Sequence, residues 1–293
     1  MDKPLIIMPE TLRQRIGIDV GAQMSIADSV EWAAENKIHF LDVSLDGKSP
    51  INPKDYDEET IHSIKKTCEE YNIHLGLHTL SSVNVAETVT YVSQGVDDYL
   101  RAYVDIAEMV GAERVIVHGG YYFSDDALIT QNEIDSDERI RTSKDRLRRL
   151  TKYTAEKDRG PTLLLENHNH EPPDSELNYV PVTLSECESY FQDLRSSYLQ
   201  WAFNPPHARL FPEGIDGYVD RLGTDLIGQV RLNDNNGEVE EHLKPGEGTL
   251  DFNKLFDLLE GDGYNDHYML KFGTLNDMIE GREYLVDCYN QAL

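Results

Sequence analysis

The chain has 293 residues, with 54 Asp and Glu against 27 Lys and Arg, a formal net charge of -27. Such a field repels nucleic-acid phosphates, whose binding needs Lys and Arg to displace counterions, so no nucleic-acid partner is expected. No apolar run approaches the ~20 residues of a membrane-spanning helix, which excludes a membrane role of that kind. Three widely spaced cysteines, Cys68, Cys187 and Cys288, fit neither a disulfide framework nor a paired-cysteine metal knuckle.

Met1 to Glu10 carries a short apolar patch, Leu5 to Met8, without the long apolar region or small-residue cleavage site of a secretory signal. A cytoplasmic location is expected. Next along the chain, short apolar runs alternate with longer amphipathic segments, the pattern of βα units around a buried parallel sheet. Strand 15–20 precedes helix 26–36, strand 39–44 precedes helix 58–71, and strand 73–78 precedes helix 96–110. Strand 114–118 is followed by helix 137–157, strand 162–166 by helix 184–194, and strand 199–204 by helix 215–221. Strand 226–231 with helix 252–259, and strand 267–272 with helix 275–291, complete eight units. A single (β/α)8 TIM barrel over residues 1–293 is the expected fold, since such a barrel takes ~250 residues plus loop insertions.

Local signals fix several boundaries. Ser25, Thr183 and Asp251 stand where helix N-caps are needed, and Gly111 where a left-handed cap stops the third helix. One unit is stretched: the polar, acidic segment 121–138 leaves the C-terminal side of the fourth strand and is a candidate lid, oligomer contact or solvated insertion. Acidic clusters such as Asp57-Glu58-Glu59, Asp97-Asp98, Asp125-Asp126 and Glu238 to Glu241 are spread along the chain. A dispersed acidic surface suits a halophilic source, because 1 M salt shortens like-charge repulsion to ~3 Å; the plainer alternative is an ordinary acidic protein.

His78, His118, Glu166, Asn204, Arg231 and Lys271 lie at or beside strand ends. Any one alone reads as a hydrogen-bonded or solvated residue. Six of them on six strands converge on the mouth of a barrel, where barrel enzymes place their chemistry.

The segments Ile73 to His78, Val115 to Gly120, Leu164 to Asn167, Phe203 to Ala208, Val230 to Asp234 and, most specifically, His242 to Phe252 resemble the xylose-isomerase-like barrel superfamily. That superfamily includes tagatose 3-epimerases, inosose dehydratases and family 2 AP endonucleases. The resemblance implies a divalent cation held by Glu, Asp, His and Glu on strands five to eight. Glu166 keeps the first place, whereas Asn204, Arg231 and Lys271 stand at the others. Arg and Lys offer only donors and positive charge, so a metal is not expected, with Mn or Mg the alternative if the ligands lie elsewhere. His207 matches the substrate-side His of the family's Asp-x-x-His pattern; His78 and His118 match positions lining the mouth, and Glu171 lies near a second family carboxylate.

The resemblance implies a sugar or polyol isomerase or epimerase, or a related lyase, with Arg231 and Lys271 supplying the charge of the missing ion. Glu166 or Glu171 would then be the base and His207 the acid or orienting group. A Schiff base on Lys271 is a weaker variant, which a neighbouring Glu166 disfavours. The alternative is a non-catalytic barrel binding a polyol or acidic ligand through a Glu166, Arg231 and Lys271 cluster. A slip in strand seven would bring Asn233 inward, and Asp234 or His242 into the site. Family members are often dimeric or tetrameric, so a homo-oligomer is a further expectation.

Overall fold

A computed structural model describes residues 11–123, 136–171 and 175–292. The N-terminal apolar patch and residues 124–135 of the stretched segment lie outside the described residues. In chain order the strands are β1 (Ile16–Asp19), β2 (Phe40–Val43), β3 (His74–His78), β4 (Arg114–Val117) and β5 (Tyr121–Phe123). They continue with β6 (Thr162–Glu166), β7 (Leu177–Tyr179), β8 (Leu199–Phe203), β9 (Ile227–Leu232) and β10 (Tyr268–Leu270). Eight of them close into a parallel barrel in the order β1-β10-β9-β8-β6-β4-β3-β2, with helices between, the (β/α)8 fold.

The barrel strands form where the short β-branched runs predict them, because a strand covered on both faces must be apolar nearly throughout. The large core lies between strands and helices, with Ile18, Leu41, Leu75, Val115, Leu163, Trp201 and Val230 all buried in it. Inside the barrel Ile116, Leu164 and Ala202 form a small apolar cluster, and Phe40 stacks between His74 and His267. Polar contacts share the interior: Arg114 Nη2 lies 3.0 Å from Asp42 Oδ1, and Gln229 Nε2 donates to Asp42 Oδ2 at 2.6 Å. Gly76 makes room for this pair, since a Cβ there would meet Asp42 Oδ1 at 2.2 Å.

The expected caps form. Ser25, Thr183 and Asp251 accept from the backbone N–H of Asp28, Glu186 and Lys254, and Gly111 takes φ 79 at the end of its helix. That helix runs Thr90–Val110, a turn and a half longer at its start than the sequence suggests. Buried Arg146 explains the difference: its guanidinium binds the Ser93 hydroxyl and, at 2.7 Å, Asp97, holding a first turn whose residues are poor helix formers.

The stretched segment also differs from expectation at its start. Tyr121–Phe123 pairs antiparallel with Leu177–Tyr179, an aromatic-rich ribbon set apart from the barrel sheet. Among the described residues no helix is long and apolar enough to cross a membrane.

Candidate functional site

Parallel barrel strands bring their C-terminal ends to one rim. Asp19, His78 and Glu166 are the last residues of β1, β3 and β6; His118, Asn204 and Lys271 follow β4, β8 and β10 directly; Arg231 is the penultimate residue of β9. All of these but Asp19 line a cavity of about 590 Å³. Its wall includes all nine sequence-derived candidates, His78, His118, Glu166, Glu171, Asn204, His207, Arg231, His242 and Lys271, together with His168, Tyr179, Asn233 and Glu240.

Ion pairs organise one side. Arg231 Nη2 donates to Asp19 Oδ2 at 2.7 Å, Arg231 Nε lies 3.3 Å from Glu166 Oε2, and Nη1 lies 3.6 Å from Asp42 Oδ2. Lys271 Nζ donates to Asp19 Oδ1 at 3.2 Å and fits beside Gly21, where a Cβ would meet the ammonium at 2.4 Å. His78 Nδ1 lies 2.6 Å from Asp19 Oδ2, and His78 Nε2 faces His118 Nε2 at 3.1 Å. Burial opposes ionisation of Asp19, but Lys271, His78 and Arg231 outweigh it and hold the carboxyl well below the usual range. Glu166 is likewise held low against its burial, first by Arg231 and then by the surrounding histidines.

The opposite side is built from imidazoles and a loop. Asn204 Nδ2 donates to Glu166 Oε1 at 2.9 Å and lies 3.2 Å from His207 Nε2. His207 Nδ1 lies 2.8 Å from the Asn167 carbonyl, so this nitrogen donates and Nε2 faces the cavity wall. Burial lowers His207 to about 3, against the pull of Glu166, and also depresses His118 and His168, leaving neutral rings. Glu240 sits 3.5 Å from His207 Nε2 and 3.2 Å from His242 Nδ1; burial raises its carboxyl.

The loop carrying Glu240 and His242 is anchored by Asp234, whose carboxylate accepts the backbone N–H groups of Asn235, Gly246, Gly248 and Leu250. Asp234 is therefore a structural hub, and Arg231, Asn233 and His242 all reach the cavity without it.

A divalent cation does not fit among Glu166, Asn204, Arg231 and Lys271. The guanidinium and ammonium lie within the carboxylate cluster, and the Glu166 oxygens already face Asn204 Nδ2 and Arg231 Nε. Among the described residues, two other groups place ligand atoms within 4.8 Å of one another: His78, His118 and Glu166, and His207, Glu240 and His242. Their imidazole and carboxylate donors suit a first-row divalent ion, which would polarise a substrate oxygen there.

Sequence reasoning missed Asp19, Asp42, His168 and Glu240. The first two lie inside the predicted strands, and a carboxylate within an otherwise apolar barrel strand was the available signal. Glu240 belongs to the acidic run 238–241, which reads as solvated surface.

A closed (β/α)8 barrel with a polar cavity at the C-terminal ends of its strands defines the class, an α/β barrel. The chain belongs to the xylose isomerase-like TIM barrel family, which residues 30–288 match. An uncharacterized protein of Methanocaldococcus jannaschii, MJ1311, is 24% identical over 271 residues, covering 89% of this chain and 84% of that protein. Among solved structures, a D-tagatose 3-epimerase-like protein superposes with TM-score 0.76 at 21% identity, over 94% of this chain and 98% of that one. Endonuclease IV from Thermus thermophilus gives 0.73 at 16% identity, over 95% and 100%. At such identities the likeness defines the fold alone.

Proposed function

We propose that this barrel is an isomerase or epimerase acting on a sugar or polyol, with Lys271 taking the part that a divalent cation has in the resemblance. The supporting observation is the Lys271 ammonium at the cavity wall, 3.2 Å from Asp19 and with 37% of its side chain exposed. A fixed ammonium there stabilises negative charge developing on a substrate oxygen as a proton leaves the adjacent carbon. Arg231 acts from behind, neutralising Asp19 and Glu166 so that the charge of Lys271 is not cancelled.

Glu166 is a poor proton acceptor in this reading, because Arg231 holds its carboxylate low. Glu240, raised by burial and set beside His207, is the better proton acceptor of the two. Glu171 at the rim is the other carboxylate within the cavity wall.

D-tagatose, D-psicose and L-ribulose, named for structural neighbours, supply the first panel, with myo-inositol as a polyol. Chelator-treated protein in D2O should place deuterium on the carbon beside the carbonyl of at least one ketose, and Lys271→Met should abolish this. Folded protein that exchanges none of them, even at high salt, contradicts the reading.

The chain of contacts from Glu166 through Arg231 and Asp19 to Lys271 favours one second reading, a non-catalytic barrel that binds a polyol or acidic ligand through these groups. Ligand binding without deuterium exchange would distinguish it.

A further inference from the structure

Strands β2 and β3 pair in register as far as Val43 and Leu77, and past that point the backbone N–H groups of the loops that follow need other acceptors. Ser44 N donates to the Gly21 carbonyl and Thr79 N to the Ile116 carbonyl. The next amide in each loop is served by a side chain instead. Leu45 N donates to Tyr103 Oη and Leu80 N to Tyr99 Oη, each at 3.0 Å. The two tyrosines stand one turn apart on helix Thr90–Val110, with ring centroids 5.0 Å apart.

A phenol oxygen that accepts from an N–H still has its own proton to place. Both tyrosines place it on the same atom, since Tyr99 Oη lies 2.9 Å and Tyr103 Oη 2.5 Å from Asp46 Oδ2. Tyr103 Oη also lies 3.2 Å from the His78 carbonyl and 3.3 Å from Ser44 Oγ, but its one proton goes to the nearest acceptor, which is also the charged one. Asp46 is thus the point where the β2 loop, the β3 loop and the helix meet. Ser44 of the first loop and Thr79, Leu80 and Ser81 of the second line the cavity, whereas Asp46 stands outside its wall.

We propose that Asp46 is a positioning residue, which ties the loops after β2 and β3 together through Tyr103 and Tyr99 and so holds one wall of the cavity in place for its ligand. The tie stands on these contacts alone; only the kind of ligand rests on the proposed function.

Amide hydrogen exchange of the whole, natively folded chain, read at Leu45 and Leu80, tests the tie. Tyr99→Phe should speed exchange at Leu80 about tenfold and leave Leu45 unchanged, as expected on losing one hydrogen bond. Asp46→Ala should speed both, although the Asp46 carboxylate bonds to neither amide. Asp46→Asn, whose side-chain oxygen still accepts, should recover part of the protection at each. Adding Asp46→Ala to Tyr99→Phe should not speed Leu80 further, because the two act in series. Calorimetry with D-tagatose, D-psicose, L-ribulose and myo-inositol reads the consequence. Any of these that binds should bind about tenfold more weakly to Asp46→Ala, because the ligand must then order the loops, and Asp46→Asn should recover part of the loss. Unchanged exchange at Leu80 in Asp46→Ala, or exchange that rises equally along the whole chain, overturns the tie. Unchanged binding despite faster exchange at both amides overturns the positioning role. Binding of none of the four contradicts the proposed function, and the exchange pattern still decides for or against the tie.

Discussion

Arg231 Nη2 and Asp19 Oδ2 lie 2.7 Å apart, joining the end of β9 to the end of β1 past the intervening β10. The same guanidinium reaches Glu166 and Asp42, so one buried cation balances carboxylates from three further strands. Removing it leaves uncompensated buried charge. Arg231→Met is expected to cost about 3–5 kcal/mol of stability, read from denaturant midpoints.

Lys271 should behave differently, because over a third of its side chain meets solvent. Lys271→Met is expected to shift stability by less than about 1 kcal/mol, since a partly exposed pair contributes little. A loss as large as that of Arg231→Met would instead mark Lys271 as a structural member of the cluster.

Acid should destabilise the fold before the carboxylates titrate. Burial lowers His207 to about 3 in the folded chain, and it also depresses His118, His168 and His267. The unfolded chain then binds more protons, so stability is fully present above the ordinary histidine value of about 6.5 and is lost as pH falls below it towards 3. His207 alone implies about 2 kcal/mol between pH 6.5 and 5, partly offset by Glu240, whose raised carboxyl favours the folded state on acidification. Midpoints measured from pH 7 to pH 5 check the sign.

How far the site was legible depended on where each side chain sat in the chain. His78, Glu166, Asn204 and Lys271 are polar residues at the ends of short apolar runs, so topology alone carries them to one rim. Asp19 and Asp42 occur within such runs, and their pairing with Arg231 and Arg114 is a contact between distant strands that no local pattern encodes. Glu240 is turned inward by the Asp234 anchor while Glu238 remains exposed, a distinction made by loop geometry rather than composition. The Tyr121–Phe123 ribbon was missed because its partner lies more than fifty residues away.

The net charge of -27 predicts a salt response. The melting temperature should rise between 0.1 and 2 M KCl as screening shortens like-charge repulsion, with Debye lengths of ~10 Å at 0.1 M and ~3 Å at 1 M. A flat response would favour an ordinary acidic protein over a halophilic one.

In the proposed reaction, Glu240→Gln should lower the rate of deuterium exchange about 10²–10⁴-fold with little change in ketose affinity, as expected on losing a general base. An equal loss with Glu166→Gln and none with Glu240→Gln would return the base to Glu166.

The most direct test of positive charge from Lys271 and Arg231 in place of a metal is elemental analysis of protein purified at high salt, with and without added manganese, paired with exchange activity on the same samples. Activity should persist at far less than one divalent ion per chain and should not increase with manganese. One tightly held ion per chain, with activity lost on chelation and restored by manganese, would contradict the account and place the chemistry at the histidine and carboxylate groups around Glu166 or Glu240.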